Sequence, residues 1–470
     1  MKNGFSNSFF IFAFLPVTLA GYYLLLPWRK LQNIWLVIVS LFFYAWGEPR
    51  LVILMIASIV MNYMFGLLID RYRDSTAGAK AIILVTLLYN LSVLFVFKYM
   101  NFVLGIFGID ISNWNITLPI GISFYTFQAV SYVIDVYRKQ GEVQTNPLNV
   151  ALYIAFFPQL IAGPIVRYQT IAEQIEHRKE SWQDFSEGTE RFIIGLSKKL
   201  ILANSFAPVA DYAFSHIDEM SGAAAWIGAI CYTFQIYFDF SGYSDMAIGL
   251  GKMFGFQFLE NFRYPYISGS VSDFWRRWHI SLGSWFRDYV YIPLGGSRVD
   301  KKYRLVWNLF VVWALTGIWH GANWTFLLWG LWYFLILTFE KLTGIPEKSD
   351  KRVVRILYYV FTVLCVILGW LLFRADSVRE AVAYIKVMFV PGKAIWDSLA
   401  AFWLNDMKVL LLAGVVCSTP VINKCYIAME RNKFRLVADV LKIVLYIALF
   451  VICISYSVNS SYNPFIYFNF

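Results

Sequence analysis

An all-α membrane protein that crosses the bilayer many times is the fold class this sequence predicts, on three observations. Of its 470 residues, 59% are hydrophobic and only 15% are Asp, Glu, Lys or Arg, whereas soluble domains hold about 45–50% apolar and about 25% charged residues. Length alone predicts about three soluble domains, but so few charges cannot coat three globules. Uncharged apolar runs recur along the whole chain, many of them near the length of about 20 residues that a helix needs to cross the hydrocarbon core. Finally, 40 Lys and Arg against 30 Asp and Glu give a net charge of +10, and these charges lie between the runs rather than in one patch. That placement reads as the positive-inside rule and not as nucleic-acid binding. A disordered chain, a coiled coil and a water-soluble enzyme are excluded together.

The first span is read from Phe9 to Leu26. Lys2 and the Ala20-Gly21 pair mimic a signal peptide, but Trp28-Arg29-Lys30 follows on the wrong flank for cleavage, so the N-terminus is placed outside. Further runs lie at 31–46, 51–69, 81–97, 116–134, 148–166, 200–209, 223–238, 305–339, 356–373, 409–421 and 443–456. Together they predict about 11 transmembrane helices with shorter re-entrant and interfacial pieces. Basic clusters at Arg29-Lys30, Arg71 to Lys80, Arg138-Lys139, Arg178-Lys179, Lys301 to Arg304, 348–355 and 431–435 mark cytoplasmic loops. The polar stretches 167–190, 341–355 and 374–406 read as loops or interfacial helices. No repeat or soluble boundary interrupts a single integral-membrane domain over 1–470, with its motifs at 118–330 and an aromatic tail at 459–470. The five cysteines have no zinc-binding spacing and read as small buried hydrophobes.

The run 305–339 holds no charged residue over 35 positions; as one straight helix it would measure about 52 Å, well beyond the hydrocarbon core of about 30 Å. It must turn back, and Gly317, Gly321 and Asn323 mark the break, with His320 beside it. An ionisable group inside an apolar run is costly and is a functional candidate by default. His320 is therefore either a general base, which a near-neutral pKa suits, or a neutral histidine hydrogen-bonded between helices.

The segment from Ser272 to Arg298 is dense in Trp and Arg. Phe274, Trp278, Leu282 and Trp285 recur at helical spacing, interrupted by Arg276, Arg277 and Asp288. Two readings stand: an interfacial helix with Trp anchors and Arg on headgroups, or Arg contacts to an anionic substrate with His279 facing a cavity. Pro293-Leu-Gly-Gly296 reads as a turn, since no Lys-Ser/Thr follows it. Asp239 and Asp245 read as members of a paired structural network. The closing Ser461-Tyr-Asn-Pro-Phe-Ile-Tyr-Phe-Asn-Phe470 carries no charged side chain. It either packs into the aromatic belt or enters the protein's own cavity and presents Tyr467, a phenol able to serve as a covalent nucleophile.

Four stretches carry a family resemblance: Leu118-Pro-Ile-Gly-Ile-Ser-Phe-Tyr-Thr-Phe-Gln128, Phe156-Phe-Pro-Gln-Leu-Ile-Ala-Gly-Pro164, Trp275 to Gly296, and Gly317-Ile-Trp-His-Gly-Ala-Asn323. In these the chain resembles the membrane-bound O-acyltransferase (MBOAT) family, and most of all its bacterial polysaccharide branch, that of the alginate O-acetyltransferase membrane subunit. The resemblance implies the MBOAT fold, a ring of tilted helices around a central cavity. It implies His320 as the family's histidine and His279 as the second polar position. Arg276, Arg277, Trp319 and Asn323 become the candidates for binding substrate or coenzyme A. No bound cofactor or metal is implied; acetyl-coenzyme A is the acyl donor. Phe465-Ile-Tyr-Phe-Asn-Phe470 is similar to the aromatic-Tyr motif of a small partner in teichoic-acid D-alanylation, which implies Tyr467 as an acyl relay. Implied further are a bacterial plasma (inner) membrane location, an extracytoplasmic SGNH-like acetyltransferase partner, a polysaccharide acceptor and contact with membrane lipids. A D-alanyltransferase for teichoic acid and a non-catalytic glycolipid transporter or scaffold are the rival readings.

Overall fold

The computed structural model describes residues 4–161, 163–345, 351–390, 394–430, 435–459 and Ile466. Every element among them is helical. Their contacts gather in two compact units, Met1–Gly195 with Tyr243–Leu259, and Leu196–Gly242 with Glu260–Phe470.

Among the described residues, seven helices are long and apolar enough to cross a membrane: Val52–Tyr72, Thr76–Ile106, Trp182–Ser215, Trp324–Thr343, Arg352–Arg374, Ser398–Cys417 and Arg435–Val458. Phe10–Leu24 is a shorter apolar helix. The remaining runs of the sequence take other forms, each for a local reason. The run at 116–134 becomes helical only from Ile122, because Gly121 stands at φ +73 with the carbonyl oxygen of Leu160 2.5 Å from where a Cβ would sit. Only glycine meets both demands. The run at 148–166 is cut at Phe156, where the helix Pro147–Ala155 ends and a short Phe157–Leu160 turn begins. Residues 200–209 finish the Trp182–Ser215 helix instead of forming a span of their own. The helices Arg29–Gly47 and Gly222–Met253 bury polar side chains, among them Gln32, Asn33, Gln235 and Asp239.

In the first unit the helix Ile122–Tyr137 is buried along nearly its whole length. It approaches Val52–Tyr72 so closely that a Cβ on Gly66 would meet the Tyr132 hydroxyl at 2.5 Å. Asn62 and Asn90 exchange amide hydrogen bonds of 3.1 and 2.8 Å, a polar fastening suited to an apolar medium. Arg191 donates to Asp245 through Nε and Nη2 at 3.0 and 2.8 Å, which gives that buried acid its expected partner.

In the second unit the run 305–339 is a helical hairpin, Lys302–His320 and Trp324–Thr343. Helix continues through Gly317, so the break is narrower than expected and falls at 321–323. Gly317 serves the crossing instead: a Cβ there would meet the Phe326 carbonyl at 2.5 Å, and one on Gly330 would meet that of Trp313 at 2.4 Å. The segment beginning at Ser272 is no continuous interfacial helix either. It forms Val271–Arg277 and Ile280–Phe286, parted at Trp278-His279. Phe274, Trp278, Leu282 and Trp285 are all buried. Trp278 meets Trp370 at 4.6 Å, and Trp275 meets Trp313 and Tyr333 at 4.8 Å, so the aromatic stripe is core. Of the cysteines, Cys231, Cys365 and Cys453 are buried, but Cys425 is exposed.

Candidate functional site

His320 closes the first arm of the hairpin, and Gly321 carries the chain away in extended form at φ −173. A helix that ends in this way leaves its last side chain against the neighbouring arm. His320 is 5% exposed and is walled by three rings: Trp319 at 4.9 Å, Trp329 at 4.9 Å and Phe373 at 5.1 Å. Trp319, itself buried, also stands 6.2 Å from the ring of His279. One indole therefore contacts two buried imidazoles that lie 41 positions apart in sequence.

His279 sits at the kink between the two short helices with φ +47 and ψ 51. A non-glycine residue in this left-handed region is under strain that surrounding contacts must hold. Asn261 does so. Its Oδ1 accepts the backbone N–H of Ser281 at 3.2 Å and the Ser281 hydroxyl at 2.9 Å, and meets His279 Nδ1 at 3.1 Å. Its backbone carbonyl accepts Ile280 N–H at 3.0 Å. Because a backbone N–H donates to it, this Asn261 atom is an oxygen, and His279 Nδ1 must carry the proton. Nε2 is then the lone-pair nitrogen. Burial pushes the His279 pKa down to about 3, so the ring is neutral near pH 7. Phe240 stands edge-on to it at 4.6 Å.

Arg276 and Arg277 both reach the Asp273 carboxylate, Arg276 Nε lying 3.9 Å from Oδ1. Arg277 Nε donates to Asp273 at 2.9 Å. Arg276, two-thirds exposed, lines a cavity of about 420 Å³ together with Arg287, Lys341, Ser270, Ser272 and Glu340. Neither histidine lines that cavity. Asn323 is engaged at both ends of its amide: Oδ1 caps the Trp324–Thr343 helix at Thr325 N–H, 3.2 Å, and Nδ2 donates to the Asp376 carbonyl at 2.9 Å. Tyr467 lies outside the described residues. Its neighbour Ile466 donates its backbone N–H to Asp239 Oδ2 at 2.8 Å, and Asp239 Oδ1 pairs with Lys199 Nζ at 2.5 Å.

Three contributors escaped sequence reasoning. Asn261 stands in no motif. Lys199 is masked by its basic neighbour Lys198, although the apolar run after it was a signal. Glu340 is the acid that ends the longest uncharged run, and it is buried. It accepts Val271 N–H, Ser272 N–H and the Tyr358 hydroxyl at 2.8, 2.8 and 2.9 Å, thereby fixing the start of the segment that carries Arg276 and His279.

The chain is similar to known proteins over most of its length. The chain is 42% identical over 90% of its length, and 85% of the relative's, to the "Probable alginate O-acetylase AlgI" of Azotobacter vinelandii. It is 36% identical to the peptidoglycan O-acetyltransferase of Helicobacter pylori over 82% of this chain and 79% of that one. Its 33% identity to the teichoic acid D-alanyltransferase of Bacillus subtilis covers 48% of this chain and 61% of that one. Residues 41–345, which include both histidines and Arg276, match the membrane-bound O-acyltransferase family. A multi-pass integral membrane protein and an O-acyltransferase, the chain belongs to the membrane-bound O-acyltransferase family.

Proposed function

We propose that this chain takes an acetyl group from cytoplasmic acetyl-coenzyme A and passes it across the bacterial plasma (inner) membrane for O-acetylation of an extracytoplasmic polysaccharide. The observation that carries the reading is the pair of buried imidazoles that share contact with Trp319. Alginate and peptidoglycan acetylation in the relatives' names supports acetyl as the group and a glycan as acceptor, whereas the D-alanyl relative matches about half of the chain.

His320 acts as general base on the accepting hydroxyl. The Nδ1–H tautomer makes His279 Nε2 an acceptor, so His279 orients the hydroxyl rather than polarising the acyl carbonyl. Trp319, buried against both rings, excludes water from them, which strengthens the electrostatics of proton transfer. Arg276, with Arg287 and Lys341 around the same cavity, suits the phosphates of coenzyme A. Arg277 supports that helix through Asp273, and Asn323 holds the hairpin turn next to His320.

The accepting hydroxyl in the first transfer is that of Tyr467. Its oxygen attacks the thioester carbonyl as His320 takes the proton, the C–S bond breaks, and the coenzyme A thiolate leaves with that proton. The acetyl-tyrosine ester then gives its acyl group to an SGNH-like acetyltransferase on the far side, and Tyr467 recovers its proton. The amide of Ile466 bonded to buried Asp239 supports an inserted tail. The test is His320→Ala and Tyr467→Phe in correctly inserted protein. Both should abolish polymer acetylation, and mass spectrometry of the parent should find acetyl on Tyr467. Retained acetylation in His320→Ala overturns the base assignment; full activity of Tyr467→Phe overturns the relay.

A further inference from the structure

Lys199 and Asp239 are an ion pair with side chains 4% and 3% exposed. Two charges withdrawn from water in this way stabilise a fold no better than an apolar pair of similar size, so the pair calls for a task. Its geometry supplies one. Lys199 engages one carboxylate oxygen, and the other accepts the backbone N–H of Ile466 at 2.8 Å. The last ten residues bring no charged side chain, and the group that meets this charged seat is a backbone N–H, which must find a partner when buried. A hydrogen bond to an ionised acceptor is the stronger kind.

Two neighbouring observations tie this seat to the tail and to the histidines. Lys199 lies on the π-helical segment Lys198–Ala203, a local widening of the helix that re-aims side chains. Directly before it, Ser197 Oγ meets Cys453 Sγ at 3.4 Å, on the helix Arg435–Asn459 from which the tail emerges. On the other side, Asp239 is followed by Phe240, whose ring stands against His279.

We propose that Asp239, held by Lys199, is a positioning residue that seats the C-terminal tail by accepting the Ile466 amide, and so sets where the next residue's phenol is presented for acyl transfer. The inference rests on the relay reading of Tyr467. It assigns the seat to the backbone of residue 466, independent of that residue's side chain.

The test uses the full-length protein with the Ile466 amide replaced by an ester, through nonsense suppression with the α-hydroxy acid of isoleucine. Natural isoleucine delivered by the same suppressor is the reference. Loss of the N–H should lower acetyl transfer and Tyr467 acetylation by about tenfold to a hundredfold, the weight of one charge-assisted bond. The loss falls on turnover, with the KM for acetyl-coenzyme A unchanged. Transfer at the reference rate overturns the proposal. A second comparison avoids a lone buried charge: Lys199→Met with Asp239→Asn keeps an oxygen acceptor, and Lys199→Met with Asp239→Leu does not. The first should be faster by about twofold to tenfold; equal rates overturn the proposal. Tyr467→Phe separates the two ideas. If it abolishes transfer while the ester changes nothing, the relay stands and the seat falls; if it is active while the ester is slow, the seat stands and the relay falls.

Discussion

Replacing Asn261 by Ala removes the acceptor that three donors share, and the structure sets the size of the effect. Asn261 is fully buried, with His279 2% and Ser281 1% exposed, so the His279 ring N–H, the Ser281 amide and the Ser281 hydroxyl all lose their bonds in a dry place. Each unsatisfied buried donor costs about 1–3 kcal/mol. Water entering the vacated volume brings the sum toward its lower end, about 3 kcal/mol. The catalytic loss has a separate origin. Without Oδ1 the proton is no longer held on Nδ1 and the left-handed turn at His279 is no longer clamped. Losing the orienting hydrogen bond, worth about 0.5–1.5 kcal/mol, lowers activity by about threefold to tenfold. The conservative exchange Asn261→Asp keeps the acceptor but adds a charge that favours the imidazolium and raises the His279 pKa from about 3.

The pH dependence follows with a definite sign. The folded pKa of His279, about 3, lies below the unfolded value of about 6.5. The denatured chain therefore binds the proton first as pH falls, and the stability gained by burying a neutral ring is full above about pH 6.5. Below that it is lost at up to about 1.4 kcal/mol per pH unit. Activity of the parent should show no acid limb from His279 above about pH 4. Asn261→Asp should show one, because protonation at its raised pKa removes the lone pair from Nε2. The assays are acetyl transfer in reconstituted vesicles across pH 4 to 8 and thermal unfolding in detergent. Asn261→Ala within twofold of the parent, or an Asn261→Asp profile that superimposes on it, would refute the reasoning.

Two further outcomes are expected. Glu340→Gln turns one acceptor oxygen into a donor facing groups that themselves donate, either Ser272 or the pair Val271 and Tyr358; at about 1.5–3 kcal/mol per bond to a charged group, thermal unfolding should show a loss of about 3 kcal/mol or more, and unchanged unfolding would deny Glu340 its anchoring role. Gly330→Ala places a Cβ 2.4 Å from the Trp313 carbonyl and should cost about 1–3 kcal/mol by overpacking the hairpin, whereas Gly47→Ala, with nothing within 4 Å, should leave unfolding unchanged.

Composition and patterning by themselves settled the solvent of this protein, its helical class and the presence of a turn after His320, because a helix in lipid must be long, apolar and internally hydrogen-bonded. They also singled out His320, an ionisable group inside a long apolar run, whereas His279, in a segment dense in Trp and Arg, owed its place to the family resemblance. Span number was harder to read. An apolar run means burial in lipid or burial in protein alike, and runs such as 148–166 proved to be protein interior. The same ambiguity made core of the Trp-rich stripe and moved Gly317 from the break to a helix crossing.

Tertiary structure alone decided which groups meet. Trp319 touching both imidazoles, Asn261 fixing a tautomer 18 positions away, and Asp239 holding Ile466 across 227 positions obey no periodicity. Sequence records the local preference of each residue, whereas hydrogen bonds and ring contacts depend on distances that only the packed chain defines.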